Sequence, residues 1–222
     1  MATVNTQTEI AHYINKFKMA DFLNEAMLTQ LEYTEVPVYQ HVYKLGDKQT
    51  HLYFLVEGEL QCYHYHLNGK LAVFGLSHPF TAIGELEILK QEPIQSNVIA
   101  TQRTVLLSIP KAVVDKHGKH DSRFLHFIIE QLTNKLYTSN TLHKNTLLPL
   151  KHRLVLYILA NTSTQSRALT LPDKEGFASL LGTTTRHLNR VLRELVADDV
   201  ISDGYPLVRI LDRVMLEALI EG

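Results

Sequence analysis

The chain has 222 residues, 45% hydrophobic and 20% charged, which excludes disorder along its length and allows one large domain or two small ones with an unstapled core. A formal net charge of −1 excludes a global field that draws nucleic acid or membrane, so any such contact rests on a local patch. One cysteine, Cys62, excludes an intrachain disulfide framework, a multi-thiolate zinc site and an all-cysteine iron–sulfur site.

Residues 6–31 carry Ile10, Tyr13, Ile14, Phe17 and Phe22 at helical spacing and predict one helix or two. From Val36 to Ile109 the pattern turns to short β-type runs: VPVYQHVY, HLYFLV, ELQCYHYHL, KLAVFGL, SNVIAT and TVLLSI. Gly46-Asp47 and Asn68-Gly69 punctuate them, and Asn-Gly suits a two-residue hairpin turn, where both positions need positive φ. Close-spaced short strands of this kind predict a closed or sandwiched antiparallel barrel.

Pro110 is expected as the first residue of a helix. Residues 121–145 read as one long helix. Along it Leu125, Ile129, Leu132, Leu136, Ser139 and His143 recur at alternating steps of four and three, a coiled-coil seam that weakens toward its end. Phe124 and Ile128 lie on a neighbouring face suited to the barrel, so the helix has two surfaces to bury. The seam predicts a homodimer through Leu125, Ile129, Leu132 and Leu136. Pro149 starts a further helix that ends in the polar stretch 161–167. A helix pair, a hairpin with its turn at 203–206 and a short final helix (DRVMLEALI) follow. The expected domains are 1–120, a hinge-bearing helix at 121–148, and 149–222.

The sharpest local signal is DKEGFASLLGTTTRHLNRVLREL, residues 173–195. Phe177, Leu180 and Leu181 give a first short helix its apolar stripe, and Gly182 suits the turn. Thr183 or Thr184 can cap the second helix, whose buried stripe is Leu188, Val191, Leu192 and Leu195. Its opposite face holds Thr185, Arg186, Asn189, Arg190 and Arg193. Two short helices joined by a glycine turn, the second with a cationic face, make a helix-turn-helix. Arginine can donate two bonds to a guanine edge and asparagine can pair with adenine. Thr184 and His187, beside the helix N-terminus, are placed for phosphate oxygens. Residues 149–222 hold nine Lys+Arg and nine Asp+Glu, so the signal is the local cluster and not the domain's charge. The hairpin that follows is a candidate wing.

The order of barrel, long helix and winged helix-turn-helix resembles the Crp/Fnr transcription regulators over roughly residues 36–210. The motifs that carry the resemblance are IGELEIL (83–89) and LGTTTRHLNRVLREL (181–195), and together they look closest to the YeiL-type branch. The resemblance implies an α+β fold: an N-terminal cyclic-nucleotide-binding-like antiparallel β-barrel (a double-stranded jelly roll), a long dimerisation helix and a C-terminal winged helix-turn-helix. It implies that Thr185, Arg186 and Arg190 face base edges, with Thr184 and His187 near phosphates. It also implies a ligand pocket at Gly84, Glu85, Leu86, Gln95 and Ser96. In nucleotide-binding members an Arg-Ser pair clamps the cyclic phosphate; here the serine is matched by Ser96, but the arginine position is Gln95, whose amide has no charged fork. Cyclic nucleotide binding is therefore not expected. The N-terminal cysteines of the iron–sulfur members are missing, no position singles out a haem ligand among 12 histidines, and Cys62 reads as a small buried hydrophobe.

A second reading uses the same barrel. Gly58 followed by His64 and His66 resembles the start of the cupin metal motif, and histidines two apart on a strand share one face. This would make a cupin-like metal-dependent enzyme, but Lys70 and Leu71 stand where the motif wants a glutamate. His117 and His120 near Gly118 read as loop residues. No nucleophile elbow, P-loop or dinucleotide fingerprint is present. The expectation is a DNA-binding transcription regulator and not an enzyme. It acts as a homodimer on an inverted repeat, with double-stranded DNA and RNA polymerase as partners and no cofactor or metal. No apolar run reaches bilayer length and MATVNTQTEI lacks the features of a secretory signal, so the expected location is the cytoplasm, with no membrane partner.

Overall fold

A computed structural model of the chain describes residues 6–65, 71–145, 148–162 and 167–221. The chain divides into two compact units, residues 1–64 with 74–137 and residues 65–73 with 138–222.

The first unit opens with helix α1 (Thr6–Lys16), a 3-10 turn (Met19–Asp21) and one-turn helix α2 (Glu25–Leu28). Asn24 caps α2 by accepting from the Met27 N–H at 3.1 Å. The next strands are β1 (Glu32–Val36), β2 (His41–Tyr43), β3 (His51–Glu57), β4 (Leu60–Tyr65), β5 (Leu71–Ser77) and β6 (Thr81–Ile83). Helix α3 (Glu85–Lys90) separates them from β7 (Asn97–Ala100) and β8 (Thr104–Pro110). They form two four-stranded sheets, ordered β1-β8-β3-β6 and β2-β7-β4-β5. The antiparallel ladders β1–β8, β3–β8, β3–β6, β2–β7 and β4–β7 build the jelly-roll barrel that the sequence predicts.

Strands β3 and β8 explain why HLYFLV and TVLLSI read as unbroken apolar runs. Leu52, Phe54 and Val56 with Val105, Leu107 and Ile109 face a core shared with α1, α2 and the long helix. Leu55 and Leu106 face the opposite way, into the core between the sheets. A strand covered on both faces has no polar side to alternate with.

Two strands depart from the expected pattern. The run 36–43 is not one strand. Pro37 offers no N–H to a ladder, and Tyr39 takes a left-handed φ of 64°, so the chain turns a corner between β1 and β2. Strand β1 instead begins at Glu32; it is an edge strand whose Glu32, Thr34 and Glu35 are exposed, so it lacks an apolar signature. Asn68-Gly69 lies outside the described residues. Pro110 also departs: its ψ of 136° is extended, so it closes β8 and precedes helix α4 (Lys111–Val113) instead of entering it. A π-helical turn (Val114–Gly118) follows.

Helix α5 (Ser122–Asn145) has the predicted length. Phe124 and Ile128 are buried in the first unit's core, as the second apolar face predicts. Leu125 and Leu132 are half-buried against that same core, whereas Ile129 and Leu136 are 60% and 61% exposed. The side chains of Ser139 and His143 lie outside the described residues.

The second unit holds α6 (Leu150–Ala160), β9 (Ala168–Thr170), α7 (Lys174–Leu180), α8 (Thr185–Ala197), β10 (Leu207–Arg209) and α9 (Arg213–Glu221). Its core joins Leu154, Val155 and Ile158 of α6 to Phe177, Leu188, Val191, Leu195 and Leu216. Strand β9, which the sequence reading leaves out, pairs antiparallel with β10 through Leu169–Val208. The wing thus takes a strand from before the helix pair. The expected hairpin is held by the Ile201–Ile210 bridge and by the Ser202 N–H donating to the Arg209 carbonyl at 2.8 Å.

Candidate nucleic-acid interface and barrel pocket

The helix pair is built as its sequence predicts. Asp173 caps α7, accepting from the Gly176 N–H at 2.9 Å. Gly182 turns the chain with φ +62°, a region that L side chains rarely enter. Thr184 is the cap of α8: its Oγ accepts from the His187 N–H at 3.2 Å. Thr183 Oγ1 lies 3.3 Å from His187 Nδ1 and fixes that ring beside the helix start.

With Leu188, Val191, Leu192 and Leu195 buried, helical geometry turns Arg186, Arg190 and Arg193 away from the core, and all three are exposed. Thr185, His187 and Asn189 lie on the flanks of that face and are half-buried. All six residues expected to meet DNA thus sit on the first two turns of α8 or at its cap. Arg190 Nε lies 3.7 Å from Glu194 Oε1, an exposed pair of small worth that a stronger anion or a guanine edge can displace.

In the first unit, Gly84 has φ +90°, and a Cβ there would overlap the side chains of Gln49 and Tyr43. Gln49 holds the turn by donating to the Gly84 carbonyl at 3.0 Å and the His51 carbonyl at 2.7 Å. Glu85 follows and is 3% exposed. Its carboxylate meets Lys135 Nζ at 2.5 Å, and the same ammonium donates to the Ala82 carbonyl at 2.7 Å. Gln131, one helical turn earlier on α5, accepts from the Ala82 N–H at 3.1 Å. Lys135 and Gln131 thus belong to this site although the sequence reading does not name them; they sit 50 and 49 residues from their barrel partners. An inward lysine on a helix already packed by Phe124 and Ile128 was the available signal.

The other pocket positions do not converge as the resemblance implies. Leu86 is half exposed on the outer side of α3. Gln95 is exposed; its amide donates to the Pro93 carbonyl at 2.9 Å and its N–H to Glu87 Oε1 at 3.3 Å. Ser96 Oγ instead accepts from Cys62 Sγ at 3.1 Å. Burial pushes the Cys62 thiol up, with the Ser96 contact opposing it, so the thiol stays protonated and unreactive at neutral pH. His64 packs its ring 4.7 Å from that of Phe74, and His66 lies outside the described residues. Among the described residues no group of three or more His, Cys, Asp or Glu side chains is placed to hold a metal ion. No helix among them is long and apolar enough to cross a membrane.

Two family descriptions match the chain: the cyclic nucleotide-binding domain over residues 34–120 and the Crp-like helix-turn-helix domain over residues 151–219. The regulatory protein YeiL of Escherichia coli O157:H7 is 25% identical over 162 residues, 72% of this chain and 73% of that protein. A CRP-family transcriptional regulator from Thermus thermophilus superposes with TM-score 0.73 at 19% identity, covering 85% of this chain and 97% of that one. FixK2 from Bradyrhizobium japonicum gives TM-score 0.73 at 16% identity, covering 85% and 96%. At these identities the likeness to solved structures establishes the fold. The family matches favour a regulator over the cupin-like enzyme.

Proposed function

The chain belongs to the Crp/Fnr family of transcription regulators, and from that premise we propose that it reads an inverted-repeat operator as a homodimer, through α8. The observation that carries the reading is the capped N-terminus of α8 with Arg186 and Arg190 one turn apart on its outward face. In a helix-turn-helix that end enters the major groove first. Arg186 and Arg190 contact base edges, with Thr185 and Asn189 beside them. Thr184 and His187 contact phosphate. In this reading residues 1–120 act as the sensor or scaffold barrel, 121–148 as a dimerisation helix and hinge, and 149–222 as the DNA-binding domain. Its remaining partner on a promoter is RNA polymerase, its location is the cytoplasm, and it performs no catalysis.

The barrel serves as a scaffold or as a sensor of something other than cyclic nucleotide. Two contacts support this: Lys135 already occupies the Glu85 carboxylate, and Gln95 brings no charge to the phosphate position.

The test is binding of each single variant to a randomised-operator library at fixed salt. Arg186→Ala or Arg190→Ala is expected to lose roughly 1–3 kcal/mol per half-site and to relax preference at one base pair. Thr184→Ala is expected to weaken specific and non-specific duplexes alike, since a phosphate looks the same at every step. Unchanged base preference in both arginine variants, with the fold intact, refutes the reading.

A further inference from the structure

We propose that Arg153, on α6 and outside the recognition helix, is a sequence-independent phosphate contact at the turn joining α7 to α8. The inference rests on the reading of α8 as the DNA-reading helix. Arg153 lies between Leu150 and Leu154, both buried in the second unit's core, so its stem is carried inward. Its Nε is buried and has no hydrogen-bond partner among the described residues. Its Nη1 reaches the turn, where a Cβ added at the exposed Gly182 would lie 3.2 Å from it. The guanidinium therefore passes from the core to the surface beside the α8 cap. The ion pairs described in this unit are Lys151–Asp198, Arg190–Glu194 and Arg213–Glu217, and none involves Arg153.

A guanidinium carries five donors and is always charged, and leaving such a group half-desolvated without an acceptor is costly. No carboxylate described in this unit answers it, so the fitting acceptor comes from outside and is anionic. The first turn of α8 presents the positive end of its helix dipole at the same place, which favours a tetrahedral oxyanion. A phosphate on the strand bordering the groove meets both requirements, and the planar fork suits it. Arg153 belongs to α6 and reaches the turn before α8, not the outward face of α8, so in this proposal it meets phosphate and carries no sequence information.

The experiment measures full-length protein on a selected operator and on a scrambled duplex of equal length, across a salt series. Arg153→Gln is expected to lose affinity by the same factor on both duplexes and to flatten the log–log salt slope by about 0.9 per protomer, the share of one phosphate contact. Arg153→Lys keeps a charge and is expected to retain most of that slope. A wild-type slope in Arg153→Gln overturns the proposal, and so does a lowered Tm with the slope unchanged, which assigns the guanidinium an internal structural role. Wild-type protein gives a second readout that needs no variant to fold. Modification of Arg153 by a dicarbonyl reagent, read by mass spectrometry, is expected to fall when either duplex is added, and equal modification with and without DNA overturns the proposal. Arg186→Ala, run alongside, separates the two ideas: if it relaxes base preference while Arg153→Gln keeps the wild-type slope, the α8 reading stands and this inference alone fails.

Discussion

Asp121 and Asn24 together join three segments of the first unit. Asp121 Oδ2 accepts from Asn24 Nδ2 at 3.0 Å, and its Oδ1 accepts from the N–H groups of Arg123 and Phe124 at 3.0 and 3.4 Å, so Asp121 caps α5. Asn24 also donates to the His117 carbonyl at 2.9 Å. The Asn24 contact is the main cause that holds the Asp121 carboxyl below its usual range; burial opposes it, and the Arg123 and Phe124 N–H groups add smaller lowering effects. A depressed folded value means stability that is present above the unfolded value near 4 and is lost as pH falls through the folded one. Asp121→Ala is expected to cost about 1 kcal/mol at pH 7, as cap losses do, with the gap from wild type closing below about pH 4. Urea unfolding of both proteins at pH 7 and pH 3 checks the sign; a gap that widens in acid refutes it. A second residue-scale prediction concerns Glu85 and Gln95. With Lys135 on the carboxylate and no guanidinium at position 95, calorimetry with cyclic AMP or cyclic GMP is expected to give Kd weaker than about 1 mM, or less than about 4 kcal/mol of binding. Tight binding of either nucleotide would overturn this view of the pocket.

At the scale of elements, the α7–turn–α8 unit depends on a conformation that only glycine adopts cheaply. Gly182→Ala adds a left-handed penalty of about 1–2 kcal/mol, and its Cβ would press on Arg153 Nη1 at 3.2 Å. Thermal unfolding is expected to show that loss, with α8 still helical by circular dichroism; full wild-type stability would contradict the assigned turn. This turn was legible because glycine, a threonine cap and a four-residue apolar stripe are all local signals. Strands β3 and β8 were legible as apolar runs because both their faces are covered. Strands β6 and β9 were not, since three residues carry no period to detect. The Glu85–Lys135 pair was hidden for a different reason. Its members are 50 residues apart: Phe124 and Ile128 mark which face of α5 meets the barrel, but neither segment specifies which barrel residue lies opposite Lys135. The DNA-contact face could be read because it belongs to one helix, whereas the pocket is assembled from β4, β6, α3 and α5, and its polar groups are paired by tertiary structure.

At the scale of the whole molecule, the reading of an inverted repeat requires two copies of α8 related by a two-fold axis. Their separation must match major grooves about one helical turn, roughly 34 Å, apart. The surface that can supply this axis is the outward side of α5. Ile129, Leu136 and Tyr137 are 60%, 61% and 70% exposed there, on a helix whose other side is filled by Phe124, Phe127 and Ile128. Burying an isoleucine or leucine that is otherwise exposed contributes roughly 1.5–3 kcal/mol, and a two-fold interface counts each residue twice. Ile129 and Leu136 on both copies together contribute roughly 6–12 kcal/mol, the same order as the roughly 4–15 kcal/mol that association costs, so a stable pair also needs the rest of this face, Tyr137 included. Leu125 and Leu132 are poorer probes, because part of each packs in its own unit and a charge there would damage the fold as well as the interface. Ile129→Glu with Leu136→Glu places carboxylates against their symmetry mates and leaves the internal core untouched. Sedimentation is expected to give a dimer for wild type and a folded monomer for the double variant. On a full operator the monomer is expected to lose the second half-site, with at least about a thousandfold weaker binding if that half-site contributes about 4 kcal/mol. A wild-type monomer that binds an asymmetric site at full affinity would remove α5 from this role and with it the two-fold operator.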